Sequence, residues 1–332
     1  MQHKLSIVVV TYNEARHMAR LQASVDRLRK PEGVTVETIL VDGGSTDGTP
    51  DAARKAGFTK VVVMPGANIP ICRNRGIQEA GGDWLAYVDG DCEVAEDWLE
   101  QAIPFLTSLD RAVLIWPAVP PEPMTWVQRA WLYHWLTKNR RMTDWNGRRV
   151  IVEGAFRLAT TRNMILHRQI ALDINGFREE LSTGEDNEFA TRAEDHGARV
   201  LGVPELRVVH HGEPRTLREF FKQQYWHANP QPYEYLLRKS AGNAPRYTLA
   251  FLAGLLLGAG GLMASAMTRQ PAYLLLLLPW LSIVALPAAW MSHAGRSWKY
   301  FPALCVLYTV YGLVRVAQLL GLARKKYSWK ST

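Results

Sequence analysis

The chain has 332 residues, enough for one large α/β domain or two smaller ones with a full core. Lys and Arg number 39 against 31 Asp and Glu, a formal net charge of +8, which admits nucleic acid, an anionic membrane or a phosphorylated substrate as partner. Placement excludes the first of these. No acidic residue follows Glu234 while Arg and Lys continue, so the basic excess belongs partly to an apolar C-terminal region and points to a membrane surface.

Cys72, Cys92 and Cys305 are too scattered to build a disulfide framework or a zinc site, which suits a reducing cytosol. Leu5–Val10 is too short for a signal peptide and has no cleavage site. The first domain is therefore expected to stay on the cytoplasmic side.

Short β-branched runs at 5–11, 34–41, 60–63 and 84–88 read as buried parallel strands. Helical stretches alternate with them at 15–28, 50–56 and 71–79. Thr49 is expected to cap the second helix through its hydroxyl, with Pro50 and Asp51 in the first turn. This alternation predicts a doubly wound α/β sheet that binds its ligand at the carboxyl ends of the strands. The polar residues Tyr12-Asn13-Glu14, Asp42 and Asp89 all fall at those ends.

A further strand is expected at 112–115. After it, Trp126 to Arg149 mixes Trp126, Trp131, Trp135 and Trp145 with Arg and Lys. That mixture suits either a surface helix with one packed face or a helix at a membrane interface. Two apolar segments, 247–267 and 272–291, are each long enough to cross a hydrocarbon core of ~30 Å. Arg269 is the only Lys, Arg, Asp or Glu between Arg246 and Arg296. Gly254-x-x-x-Gly258 in the first would let helices approach closely. The third segment, 300–323, holds Arg315 and Gln318 and precedes Arg324-Lys325-Lys326. It reads as a third span or an interfacial helix, the latter keeping the basic tail inside. The expected division is a cytoplasmic domain over 1–240 and a membrane domain over 241–332.

Asp89-Gly90-Asp91 places two carboxylates on the turn after a strand, where both can face one divalent cation. The wider pattern is more specific. Ile7-Val-Val-Val-Thr-Tyr-Asn-Glu14, Val41-Asp-Gly-Gly-Ser-Thr-Asp-Gly-Thr49, Arg73-Asn74-x-Gly76 and Tyr87-Val-Asp-Gly-Asp91 follow in order. They are joined by Asn175-Gly176-Phe177, Thr183-Gly-Glu-Asp-Asn-Glu188 and Pro204 to His210. Together, over residues 5–225, they resemble the inverting family 2 glycosyltransferases, which use the GT-A fold, a Rossmann-like, mostly parallel sheet binding a nucleotide-sugar.

The resemblance implies roles. Thr11, Tyr12 and Glu14 would line the nucleoside pocket, and Asp42 would accept from the imide N–H of uracil, favouring a UDP-sugar. Arg73 would meet the base or the diphosphate, and Asp89 the ribose or the metal. Asp91, with His210 or its neighbour His211, would bind Mg²⁺ or Mn²⁺, whose charge stabilises the departing diphosphate. Asp186 would be the general base that deprotonates an acceptor hydroxyl. Glu185 would orient the acceptor or Asp186, and Gly154 and Ala155 would sit beside the acceptor.

The expected reaction is transfer of one sugar to a hydroxyl of a membrane-bound, lipid-linked saccharide. A polyprenyl-phosphate acceptor is the rival: an anionic phosphate has little need of a base, so Glu185-Asp186 favours a hydroxyl. A processive synthase would carry Gln-x-x-Arg-Trp where this chain has Gln223-Gln-Tyr-Trp-His227. A tethered binding module with a dead site is disfavoured, because the metal and base positions are filled.

Overall fold

The computed structural model describes residues 2–139, 150–181, 184–227 and 244–322. They fall into two compact units. The first gathers the described residues of Met1–Glu122 and Arg141–Glu213, the second those of Pro123–Arg140 and Pro214–Lys326.

The first unit opens with β1 (His3–Thr11), whose Leu5–Val9 stretch is buried on both faces, as a central parallel strand requires. A 3₁₀ turn (Ala15–His17) and α1 (Met18–Asp26) follow where one continuous helix was expected. Next come β2 (Val34–Asp42), α2 (Thr49–Ala56), β3 (Lys60–Val63), α3 (Ile69–Glu79) and β4 (Trp84–Tyr87). α2 is capped differently from expectation. Gly48, at φ 86°, holds the N-cap position, and Thr49 lies inside the helix with its backbone N–H bonded to Asp47 Oδ1 at 3.0 Å. The Thr49 hydroxyl is committed to tertiary contacts instead, because it accepts from Glu14 N–H at 2.9 Å.

The unit continues through β5 (Cys92–Val94), α4 (Trp98–Ser108), β6 (Ala112–Ile115), β7 (Val152–Glu153), β8 (Met164–His167), α6 (Arg168–Asp173), α7 (Glu185–Asp195), β9 (Arg199–Gly202) and β10 (Val208–His210). The eight-stranded sheet has the order β3-β2-β1-β4-β8-β6-β9-β7. β1, β2, β3 and β4 pair in parallel, as do β6 and β9, whereas β8 enters antiparallel between β4 and β6, and β7 pairs antiparallel with β9. The sheet is thus mixed, with a parallel half at the N-terminus. In that half the order reverses at β1, flanked by β2 on one side and β4 on the other. Such a switch point opens a crevice at the carboxyl ends of the strands. Separately, β5 and β10 form an antiparallel ribbon in which His210 lies opposite Cys92.

The second unit holds α5 (Trp126–Lys138), α8 (Leu217–His227), α9 (Ala244–Thr268), α10 (Leu278–Ala294) and α11 (Phe301–Leu319). α5 opens with a reciprocal capping box between Thr125 and Gln128, two orphan donors being satisfied at once. Its packed face meets α8 and α11. Val127 and Ala130 cluster with Phe220 and Leu307, Tyr133 donates to Met291 O at 3.1 Å, and His134 Nδ1 lies 2.7 Å from Tyr308 OH. Trp126 and Trp135 stay exposed; Trp145 and Arg140 to Arg149 lie outside the described residues.

Three stretches, Arg246–Thr268, Pro271–Ala294 and Trp298–Leu319, are long and apolar enough to cross a membrane. The Gly254-x-x-x-Gly258 stripe is where α9 meets the following stretch. A Cβ on Gly254 would fall 2.9 Å from the Trp280 Cα, and one on Gly258 3.0 Å from a Leu277 methyl. Only glycine admits that approach. The 240/241 boundary and Arg324-Lys325-Lys326 lie outside the described residues.

Candidate active site

The crevice at the switch point is built from the loops that follow β1, β2 and β4. After β1, Asn13 adopts φ 59°, a conformation asparagine tolerates because its short amide bonds locally. Its backbone N–H donates to Ser45 Oγ at 2.7 Å, and its Oδ1 accepts from Thr46 N–H at 2.9 Å. Together with the Glu14–Thr49 bond and Ala15 N–H on Asp47 Oδ2 at 3.0 Å, this zips the β1 loop to the β2 loop. Thr11, Tyr12 and Glu14 therefore share one rim.

Asp42 lies directly opposite Thr11 in the β1–β2 pairing and is wholly buried. Its Oδ1 accepts from Gly44 N–H (2.9 Å) and Ser45 N–H (2.7 Å), and its Oδ2 from the Ser45 and Thr11 hydroxyls. Four donors fill the acceptor positions of a carboxylate. In this geometry Asp42 shapes the Gly43–Ser45 turn, and a base N–H would have to displace the Ser45 hydroxyl, which is also held by Asn13 N–H.

The Asp89-Gly90-Asp91 turn sits against that rim. A Cβ on Gly90 would lie 2.7 Å from Thr11 Cγ2 and 3.2 Å from Met18 Cε, so the middle residue must be glycine for the turn to approach. Asp91 Oδ2 lies 3.2 Å from His210 Nε2, and His210 Nδ1 lies 3.0 Å from Glu213 Oε1. Glu213 also accepts from Arg162 at 2.7 Å, and the same guanidinium reaches to 3.7 Å from Asp89 Oδ2. His211 turns away: its Nε2 pairs with Glu93 Oε1 at 2.5 Å. Of the two histidines, His210 is therefore the one that faces Asp91.

Electrostatics follow from this clustering. Burial and Arg162 push the His210 pKa down, but Asp91 and Glu213 outweigh them and hold it at about 9. Burial alone would raise Asp91, yet its bond and attraction to His210 bring it to about 2. Burial raises Asp89 against the pull of Arg162 and Arg73. Glu14 is pushed up to about 7, first by burial and then by Asp91.

The donor set suits a divalent cation. With Nδ1–H held by Glu213, His210 directs Nε2 toward Asp91, and loss of the Nε2 proton would leave there the lone pair that a cation takes. Gly212 leaves the space: a Cβ there would lie 2.2 Å from Asp91 Oδ2 and 3.0 Å from His210 Nε2.

A second cluster centres on the start of α7. Arg73, 6% exposed, is bonded to Glu185 (NH1–Oε1, 2.5 Å) and donates to the Thr161 hydroxyl, with its guanidinium 5.3 Å over the Phe177 ring. Arg73, expected at the base or the diphosphate, is thus engaged by Glu185, and its charge also reaches Asp89 and Asp186. α3 thereby supplies the counter-charge that buried Glu185 requires. Asn74 braces the same region, accepting from Phe177 N–H at 2.7 Å and donating to Phe177 O at 2.9 Å. Asp186 follows Glu185 in the first turn of α7, where backbone N–H groups favour a negative charge. Burial and then Glu185 nevertheless raise its pKa to about 6, against Arg73. Thr183 lies outside the described residues.

Gly154 and Ala155, expected beside the acceptor, open the turn that packs on α7. Gly154, at φ 64°, lies against Glu194 Oε1, eight residues and about 12 Å further along α7 than Asp186. It is Ala159, at the other end of that turn, that accepts from Asn187 at 2.9 Å next to Asp186.

Sequence reasoning did not single out Arg162, Glu213 or Thr161. Glu213 carried a signal, three residues after His210; Arg162 and Thr161 belong to no pattern and reach the site only through the fold.

Residues 6–162 match the family model described as glycosyl transferase family 2. The chain is 25% identical over 228 residues to the glycosyltransferase AglE of Haloferax volcanii, covering 67% of this chain and 70% of that protein. It is 26% identical over 219 residues to the succinoglycan biosynthesis protein ExoM of Rhizobium meliloti, covering 61% of this chain and 65% of that one, just under two thirds of its length. In structure it resembles the mannosyltransferase PcManGT from Pyrobaculum calidifontis, solved in complex with GDP-Man and Mn²⁺. The TM-score is 0.61 at 18% identity, over 94% of this chain and 88% of that one, a likeness that shows the GT-A form of the sheet.

Proposed function

We propose, from the premise that residues 6–162 form a family 2 glycosyltransferase domain, that this chain is a membrane-anchored inverting glycosyltransferase. It moves a sugar from a nucleotide-sugar to a hydroxyl of a membrane-bound, lipid-linked saccharide. The observation that carries the reading is the line Asp91–His210–Glu213 at the carboxyl edge of a GT-A sheet. A divalent cation, Mg²⁺ or Mn²⁺, held by Asp91 and His210 would supply the positive charge that stabilises a departing nucleoside diphosphate.

The protein's own residues do the rest. The zipped β1 and β2 loops hold the nucleoside against Thr11, Tyr12 and Glu14. Asp42 keeps the turn of that pocket rigid, and selection of uracil rests on exchange of its Ser45 hydroxyl bond for a base N–H. Arg162, anchored by Glu213 and near Asp89, offers a second positive charge at the same edge. Asp186 takes the proton of the acceptor hydroxyl as it attacks, on the face opposite the leaving group, so the anomeric centre inverts in one displacement. Glu185, paired with Arg73, fixes Asp186 and keeps its basicity near neutral pH.

The three apolar helices support an anchor, and an anchored enzyme meets lipid-linked acceptors at the cytoplasmic leaflet. ExoM, similar in sequence, is named for succinoglycan biosynthesis, which supports a saccharide acceptor. The test is nucleotide release from a panel of UDP- and GDP-sugars, with membrane extract as acceptor. Asp186→Asn is expected to lower kcat by 10²–10⁴-fold, the span of general-base contributions. Unchanged transfer in that variant, or transfer only to polyprenyl phosphate, overturns the hydroxyl-acceptor mechanism.

A further inference from the structure

Spacing along the chain gives Cys92 no metal-binding partner, yet the β5–β10 pairing sets it directly opposite His210. Opposed residues of an antiparallel pair project to one face, with Cβ atoms about 4.5–5.5 Å apart. Asp91, Cys92 and His210 each present one donor atom here, a carboxylate oxygen, Sγ and a ring nitrogen. All three atoms lie within 4.8 Å of one another, the one such group among the described residues. Cys92 is 1% exposed and His210 5%, while Asp91 is half-buried, so the site is open to the crevice only on the carboxylate side. Core packing would account for the burial of Cys92 but not for its place beside two ligand atoms. Cys72, equally buried, has its Sγ against the Ala67 carbonyl and belongs to no such group.

A tetrahedral ion with bonds of about 2.0 Å to N and O and about 2.3 Å to S needs donor atoms about 3.3–3.7 Å apart. The Asp91–His210 separation of 3.2 Å already meets this. The sulfur has to close by up to about 1.3 Å, within reach of a side-chain rotation.

We propose that Asp91, Cys92 and His210 form a three-donor site for borderline-soft divalent cations, Zn²⁺, Co²⁺ and Cd²⁺, with the Cys92 thiolate as third ligand. It rests on the metal reading of Asp91 and His210 above and adds a ligand and a selectivity. As the cation binds, the thiol proton passes to solvent and a sulfur lone pair forms the new bond, with no change of oxidation state. Mg²⁺, which takes oxygen ligands, gains nothing from the sulfur, whereas Zn²⁺ does. Zn²⁺ therefore displaces Mg²⁺ at far lower concentration.

The test is absorption spectroscopy of the full-length protein in detergent, titrated with Co²⁺ alone. A near-ultraviolet thiolate-to-cobalt charge-transfer band is expected beside the visible cobalt bands. It persists in the Cys72→Ser/Cys305→Ser double variant and disappears on adding Zn²⁺ but not excess Mg²⁺. Cys92→Ser is expected to lose the charge-transfer band, to keep the visible bands and to bind Co²⁺ at least tenfold more weakly. Visible bands without the charge-transfer band in the unsubstituted protein overturn the role of Cys92 while leaving the Asp91–His210 reading intact. No cobalt spectrum, or one unmoved by His210→Ala, overturns both. Should Cys92→Ser not fold, the unsubstituted protein and the double variant decide between these outcomes.

Discussion

Asp186 and Glu185 show how neighbouring carboxylates of one helical turn acquire different environments. Glu185 is neutralised by Arg73, while Asp186 is raised to about 6 by burial and by Glu185. A general base must be unprotonated to accept a proton, so kcat is expected to rise with pH through about 6 and to fall below it. Glu185→Gln removes the negative neighbour and leaves Arg73 to lower Asp186 unopposed, so the acid limb moves to lower pH. A pH profile of kcat checks this, and a limb that stays or moves upward contradicts the assignment. Gly212→Ala puts a methyl 2.2 Å from Asp91 Oδ2 and is expected to raise the Mn²⁺ concentration for half-maximal activity at least tenfold, with far-UV circular dichroism unchanged. Asp91, His210 and Asp186 could be singled out because each falls within a recognisable pattern. Arg162 and Thr161 were not, because nothing near them in the chain distinguishes a site residue from a surface one.

The strands of the N-terminal half were legible to within a residue or two, since short apolar runs between turn residues mark them, although β3 lies at the sheet edge with Val63 43% exposed rather than buried as expected. Met164–His167 was not picked out as a strand, and its antiparallel course against β4 is set by the fold. The start of α2 was misassigned because Thr49 suits a cap by local rules, and the tertiary bond to Glu14 claims its hydroxyl. Packing explains Gly76 of the Arg-Asn-x-Gly pattern: a Cβ would fall 2.2 Å from Val8 Cγ1, where α3 crosses β1. Gly76→Ala is expected to destabilise the catalytic unit by about 1–3 kcal/mol through overpacking. A fall of several degrees in the thermal midpoint measures it, and an unchanged midpoint excludes the tight crossing.

At the scale of the whole molecule, composition marked out the apolar C-terminal region but not which earlier helices join it. α5 and α8 pack with α11 in the second unit, burying Phe220 completely beside Val127, Ala130 and Leu307. Deletion of residues 241–332 is therefore expected not to yield a freely soluble enzyme. Phe220 and Val127 lose their Leu307 contact, and the shortened protein should aggregate without detergent, as read by size-exclusion chromatography with and without it. A soluble, monodisperse product would show that α5 and α8 do not depend on the apolar helices. The full-length chain should pellet with membranes and resist carbonate extraction, given three stretches of 22 to 24 residues with apolar composition.

By itself the sequence determined the alternating α/β plan, the membrane-length helices, and the rim formed by Thr11 to Glu14, Asp42, Asp89 and Asp91, because strand ends and periodicity are local properties of the chain. Only the tertiary structure decided that His210 rather than His211 faces Asp91, that Arg73 pairs with Glu185, and that Cys92 lies opposite His210 beside Asp91. Those are facts of register and crossing, set where segments more than a hundred residues apart pack together, and no local pattern encodes them.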